Sequence, residues 1–314
     1  MQKKSVTKKI LTICLVLALL VGLIFAIKSM IEASASKKAY EQARAIAGGS
    51  SVTTTTAATI AATTVNAAEE TVPASEPVEE KPEVTEAAQE DKEAGDEQVT
   101  HTLQQRKSMT HSDPVVMELL SLDLDALRLT NPDVVGWICI PDTGIDYPVV
   151  QGEDNAYYLE NTWNREANSA GAIFMEANNS VSMKDFNTII YGHNMRDRSM
   201  FSNLNKYQNR DYLLTHPYAY VLTDNGVYRY NMCASYKASI HSITYAMQIK
   251  TERKRSELVN FIINYNQLQN MEIVPSTSDR LLTLSTCSGV GQRNRRVVIG
   301  VFDPEGSCLI EPMK

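Results

Sequence analysis

The chain is 314 residues long with a formal net charge of −7, and the charge is divided: Glu69 to Glu97 carries twelve acids against Lys81 and Lys92, a balance of −10, which leaves the rest near +3. No basic stripe interleaved with aromatics supports nucleic-acid binding. The cysteines, Cys14, Cys139, Cys233, Cys287 and Cys308, are odd in number and form neither a Cys-x-x-Cys pair nor a Cys/His cluster, which argues against a disulfide framework and a zinc site.

From Ile10 to Ile27 no side chain is charged or strongly polar, and about 18 apolar residues at ~1.5 Å per residue cover roughly 27 Å, close to the hydrocarbon thickness of a bilayer. Lys3, Lys4, Lys8 and Lys9 precede this run and only Lys28 follows it closely. Residues 1–9 are therefore expected in the cytoplasm, residues 10–27 across the membrane and everything after them outside the cell. A cleaved signal peptide is the rival, because Ala33-Ser34-Ala35 has the small-x-small form of a cleavage site, but the apolar run is longer than a signal peptide needs. Residues 28–112 are rich in Ala, Thr, Ser, Glu and Pro, with the run Thr53 to Thr56 and prolines at Pro73, Pro77 and Pro82. That composition reads as a disordered stalk, of which Ile31 to Ala47 can also be read as an extension of the membrane helix.

Residues 113–314 carry the patterns of one folded domain. Asp113-Pro114 offers a cap and a first-turn proline, and Met117, Leu120, Leu124 and Leu127 recur at helical spacing, so a helix is expected from Pro114 to about Leu129. After Asn131-Pro132-Asp133 come eight strand-like runs: Val135 to Ile140, Ile145 to Val150, Ala172 to Met175, Thr188 to Tyr191, Tyr218 to Thr223, Val227 to Ser239, Leu281 to Ser285 and Arg296 to Val301. Pro141-Asp142-Thr143-Gly144 and Asp224-Asn225-Gly226 are turn signals between them. Thr251 to Asn266 is helical, with Leu258, Phe261, Ile262 and Tyr265 on one face. Helices do not alternate regularly with strands, so the pattern predicts a mainly β barrel with added helices rather than a parallel α/β fold.

Three residues carry the chemistry. Cys287 ends the run Leu281-Leu282-Thr283-Leu284-Ser285-Thr286-Cys287, at a strand end where a thiol can meet a cleft, whereas Cys139 and Cys233 lie inside strands, Cys14 in lipid and Cys308 in the tail. His193 closes Ile189-Ile190-Tyr191-Gly192-His193, where glycine permits close approach just before an imidazole able to carry a proton. Arg295 precedes Val297-Val298-Ile299 and cannot lose its charge, although Arg293 and Arg296 compete for the role. If Val297 and Ile299 face the core, Arg295 shares their side of the strand. Nucleophile, proton shuttle and fixed cation suffice for acyl transfer through a thioester.

Together these motifs resemble the sortase family, the membrane-anchored cysteine transpeptidases of Gram-positive cell surfaces, and its class B in particular. Thr283-Leu284-Ser285-Thr286-Cys287 is similar to the family's cysteine strand, Tyr191-Gly192-His193 to its histidine strand, and Arg295 with Val297-Val298-Ile299-Gly300 to its arginine strand. Asn131 to Ile138, Ile145 to Gln151 and Asp154 to Leu159 resemble the class B segment upstream, and the helix of Thr251 to Asn266 has its counterpart before the cysteine strand.

The resemblance implies an eight-stranded sortase β-barrel with an N-terminal helical addition. It implies a catalytic set of Cys287, His193 and Arg295, and a substrate groove touched by Asn155, Leu159, Tyr191, Ser285 and Thr286. It further implies no cofactor or metal, a sorting-signal protein of the Asn-Pro-x-Thr-x or Leu-Pro-x-Thr-Gly type as one partner, and an amine of a peptidoglycan precursor or a pilin lysine as the other. Two rivals remain: a cell-wall L,D-transpeptidase, whose cysteine sits in a different local sequence, and a surface β-domain that binds peptide without catalysis.

Overall fold

The computed structural model describes residues 2–48, 104–268, 271, 273–287 and 294–310. The eight strand-like runs all form strands: β1 Val134–Ile140, β2 Ile145–Val150, β3 Ile173–Met175, β4 Asn187–His193, β5 Tyr218–Thr223, β6 Gly226–Ser239, β7 Leu281–Cys287 and β8 Asn294–Leu309. They close into a barrel in the order β1-β2-β3-β4-β7-β8-β6-β5, which removes the unpaired edges an open sheet would expose. Gly226, at φ +109°, turns β5 back onto β6 as the hairpin signal predicts. Two neighbouring pairs, β2 with β3 and β4 with β7, run parallel and so need long crossovers. The first crossover, residues 151–172, carries Leu159, one of the residues expected at the groove.

Period-two alternation sorts the strand residues into two apolar clusters. Leu282, Leu284 and Val298 join Trp137, Phe174, Ile190 and Leu222 in the larger one. Leu281, Val297 and Ile299 face the other way, into a smaller cluster with Leu258, Val259 and Ile262 of the helix α6, Glu252–Tyr265. Thr251 starts α6 by accepting from the Lys254 amide. A shorter helix, α5 Arg210–Thr215, precedes β5 and is capped by Asn209.

The helix expected from Pro114 to about Leu129 is two helices, α3 Pro114–Leu120 and α4 Leu124–Arg128. Asp113 caps the first as expected, but Asp123 caps the second by accepting from the amides of Asp125 and Ala126, so the chain must break between them. Leu119, Leu120, Leu124 and Leu127 are nonetheless all buried, which is why the apolar spacing runs across the break.

Both ends of the expected stalk carry helix, the first as the extension of the apolar helix that the sequence also allowed. Helix α1, Gln2–Ala47, continues past the apolar run, and its later turns lie on the barrel. Ser36, Ala39, Tyr40, Ala43 and Ala47 are buried along one face; the alanines that read as low complexity form a small-residue stripe along which the helix packs closely. The large apolar residues from Ile13 to Ile31, by contrast, are exposed on a helix long enough to cross a membrane. Asp123 closes the far end by donating its amide to the Ala47 carbonyl at 2.8 Å. A short helix α2 at 104–108 brings Arg106, fully buried, to the Thr223 carbonyl at 3.1 Å. The remainder of the expected stalk, 49–103, lies outside the described residues.

Candidate active site

Three adjacent strands carry the three candidate residues to one level of the barrel. β4 and β7 are paired in parallel without a slip from Asn187↔Leu281 to His193↔Cys287. β7 and β8 are antiparallel, with Ser285 opposite Val297. The Thr286 hydroxyl accepts from the Arg296 amide at 3.0 Å and donates to its carbonyl at 3.4 Å. Carrying the register two residues further on each strand sets Cys287 beside Arg295. At ~4.8 Å between neighbouring strands, His193, Cys287 and Arg295 have backbones within about 10 Å of one another, although the histidine lies about a hundred residues before the other two.

Local packing fixes His193. A Cβ at Gly192 would come within 2.7 Å of the Phe201 ring, so only glycine lets β4 pass this close before the histidine. The His193 ring Nε2 lies 2.7 Å from the Leu159 carbonyl oxygen. A carbonyl only accepts, so Nε2 holds the proton and Nδ1 is the basic nitrogen of the neutral ring. Burial lowers the pKa of His193 below its ordinary value and the charge of Arg295 lowers it further, while the bond to Leu159 works the other way.

A cavity of about 210 Å³ opens beside them, lined by Asn155, Leu159, Phe174, Tyr191, Ile240, Tyr245 and Arg295. Its aromatic side is continuous: Tyr191 stacks on Tyr245 with centroids 6.3 Å apart and leans on Phe174 at 5.2 Å. Beneath it sits Glu176, 5% exposed, whose Oε2 accepts from the Asn155 amide nitrogen at 2.6 Å and the Tyr191 hydroxyl at 2.9 Å. This carboxylate ties the crossover to the barrel wall. The result is an apolar, aromatic groove with a cation at one end, a shape suited to an extended peptide whose reacting carbonyl meets Arg295.

Of the residues expected at the groove, Asn155, Leu159 and Tyr191 line it. Ser285 is fully buried and is linked to it through the Tyr245 hydroxyl at 2.8 Å. Thr286 is not a groove wall: both its bonds go to Arg296, so it clamps β7 to β8. Arg296 points elsewhere, its guanidinium donating to Gln267 at 2.7 Å and Gln208 at 3.3 Å, and Arg293 lies outside the described residues, so Arg295 is the arginine that lines the groove among those described. Phe174, Glu176, Ile240 and Tyr245 are additions that the sequence motifs do not mark. Phe174 and Glu176 offer only an apolar run and the acid after it, and the connection bearing Tyr245 has no repeating pattern.

The thiols of Cys139 and Cys233 are pushed up to about 12, chiefly by burial, which removes them as nucleophiles at neutral pH. Among the described residues no three His, Cys, Asp or Glu side chains group as a metal site requires.

A family model described as the sortase domain matches residues 138–301. Sortase B of Listeria monocytogenes is 37% identical over 169 residues, 52% of this chain and 67% of that protein. Sortase B of Staphylococcus aureus is 29% identical over 185 residues, 56% of this chain and 72% of that protein. Among solved structures, a Staphylococcus aureus sortase B–substrate complex is similar at a TM-score of 0.56 with 26% identity, covering 69% of this chain and 99% of that one.

Proposed function

The chain belongs to the sortase family of cysteine transpeptidases, in its class B, and we propose that it joins surface proteins to a cell-envelope amine through a thioacyl intermediate on Cys287. The observation that carries this reading is the shared level of His193, Cys287 and Arg295 on three neighbouring strands beside one peptide-sized groove.

In the first half-reaction the Cys287 thiol gives its proton to Nδ1 of His193, and its sulfur attacks the carbonyl of the threonine in a C-terminal sorting signal. Arg295 offsets the charge that gathers on the carbonyl oxygen. The peptide bond after threonine breaks, the carbon–sulfur bond remains, and the imidazolium of His193 gives its proton to the departing amine. In the second half an amine of a peptidoglycan precursor, or a pilin lysine, attacks the thioester, loses a proton to His193 and releases the sulfur. His193 lies below its ordinary value near 6.5, so at neutral pH its ring is mostly neutral and able to take up the proton of the thiol.

The apolar stretch of α1 serves as the membrane anchor in this reading, with residues 1–9 in the cytoplasm and the barrel outside. The similar Staphylococcus aureus sortase B solved as a substrate complex supports a substrate-binding role for this fold. Incubating the full chain in detergent with Asn-Pro-x-Thr-x and Leu-Pro-x-Thr-Gly peptides should give a mass increase on Cys287 that an added amine discharges. Transfer that persists in Cys287→Ala would refute the assignment of the nucleophile.

A further inference from the structure

The carbonyl that orients His193 belongs to Leu159, which lies in the crossover of residues 151–172 rather than in the barrel. Part of that crossover is held from within, by Asn168 to Glu160 and Ala172 to Tyr158, both backbone bonds of 2.9 Å. From the barrel side it is held by Asn131 and Asp133, at Tyr158, Trp163 and Arg165, and by Glu176 at Asn155. From the other side it is held by α1. The Trp163 indole donates to the Ala39 carbonyl at 2.8 Å, the Asn168 amide to the Glu32 carbonyl at 2.9 Å, and the Ser169 hydroxyl to the Glu32 carboxylate at 2.6 Å. The Tyr40 hydroxyl donates to the Gly171 carbonyl at 2.7 Å, in a buried setting.

Gly171 is the point where this support reaches the imidazole. Its φ is +58°, and a Cβ there would lie 2.7 Å from the Leu159 oxygen and 2.9 Å from Cδ2 of His193. The Gly171 backbone therefore packs directly against both members of the His193–Leu159 hydrogen bond, and Tyr40 holds it from behind. Burial raises the Tyr40 pKa far above the physiological range, so its hydroxyl is always a donor.

We propose that Tyr40 is a positioning residue for His193, and that α1 completes the active site by bracing the crossover that orients the imidazole. This rests on the reading of His193 as the proton shuttle. Tyr40→Phe tests it cleanly, because the ring keeps its edge contact with Tyr147 at 5.0 Å and only the donor to Gly171 is lost. In the full chain in detergent, kcat for thioacylation should fall roughly tenfold with KM nearly unchanged. Nitrogen NMR of the histidine rings should report one tautomer for His193, protonated at Nε2, in the wild type and a mixture in Tyr40→Phe. Ser169→Ala, which weakens the same brace from its exposed end, should move both readouts in the same direction by less.

Wild-type kcat and a single tautomer in both variants would overturn the proposal. So would a fall in kcat with an unchanged tautomer, since that is what a purely structural role produces. His193→Gln in the same assay separates the two readings. If it retains the wild-type rate, the shuttle assignment itself fails. If it is inactive while Tyr40→Phe is unaltered, only the brace fails.

Discussion

Arg295 has two effects in the proposed mechanism: it offsets charge on the reacting carbonyl, and it lowers the pKa of the imidazole beside it. Arg295→Ala should therefore cost several powers of ten in rate and move the His193 midpoint up toward its ordinary value near 6.5, read by ring NMR across a pH series. A midpoint that stays put would mean that burial alone sets it. The same shift has a stability sign. Below about pH 6.5 the unfolded chain takes up a proton that the folded chain refuses, so His193 makes the fold less stable as the pH falls toward its lowered midpoint; below that midpoint both forms are protonated and the difference is constant. Arg295 was legible from its place before an apolar strand, and Asn155, Leu159 and Tyr191 through the resemblance of their short motifs to the class B pattern. Tyr245 and Glu176 were not, because each reaches the groove through contacts between segments far apart in the chain, and nothing in a local pattern records such a contact.

Among the elements, period-two and 3.6-residue patterns located all eight strands and α6, because each element buries one face against a known neighbour. The errors fall where capping outweighs periodicity. Asp123 ends one apolar rhythm and restarts it as α4, a break invisible to spacing alone. The strand expected from Arg296 to Val301 extends to Leu309. In the fold Asp303 accepts from the amides of Glu305 and Gly306, absorbs a turn, and lets the strand resume opposite Val227. Helix α6 packs over the outer face of β6, β7 and β8, the last two of which carry the cysteine and the arginine. Ile262→Ala, at a fully buried position of that interface, should cost about 2–5 kcal/mol in unfolding free energy, measured by denaturant titration. A loss under about 0.5 kcal/mol would mean that α6 is not anchored there.

For the molecule as a whole, the barrel was legible and the packing of residues 28–47 against it was not. Residues 28–47 share an Ala- and Ser-rich composition with the segment C-terminal to them, and composition does not distinguish a spacer from a helix whose alanines are a packing stripe. With α1 seated on the barrel, the acidic segment between Gly48 and residue 104 leaves from the folded domain and returns to it, so it does not set the reach of the enzyme. The uninterrupted helix does. Glu32, which bonds to the crossover at Asn168 and Ser169, comes only five residues after Ile27, where the apolar run ends, about 8 Å of rise. With the apolar stretch of α1 as the proposed membrane anchor, the groove would be held at one altitude over the lipid, like a tool on a short post rather than a long leash. Ten helix-forming residues inserted after Lys28 would lift it by about 15 Å. In liposomes this should sharply reduce transfer between membrane-held donor and acceptor and spare reaction with soluble peptides, whereas exchanging 49–103 for a neutral linker of equal length should change neither. An enzyme mounted in this way would select its substrates by how far from the bilayer they present the scissile bond, a criterion written in the length of a helix rather than in any side chain of the groove.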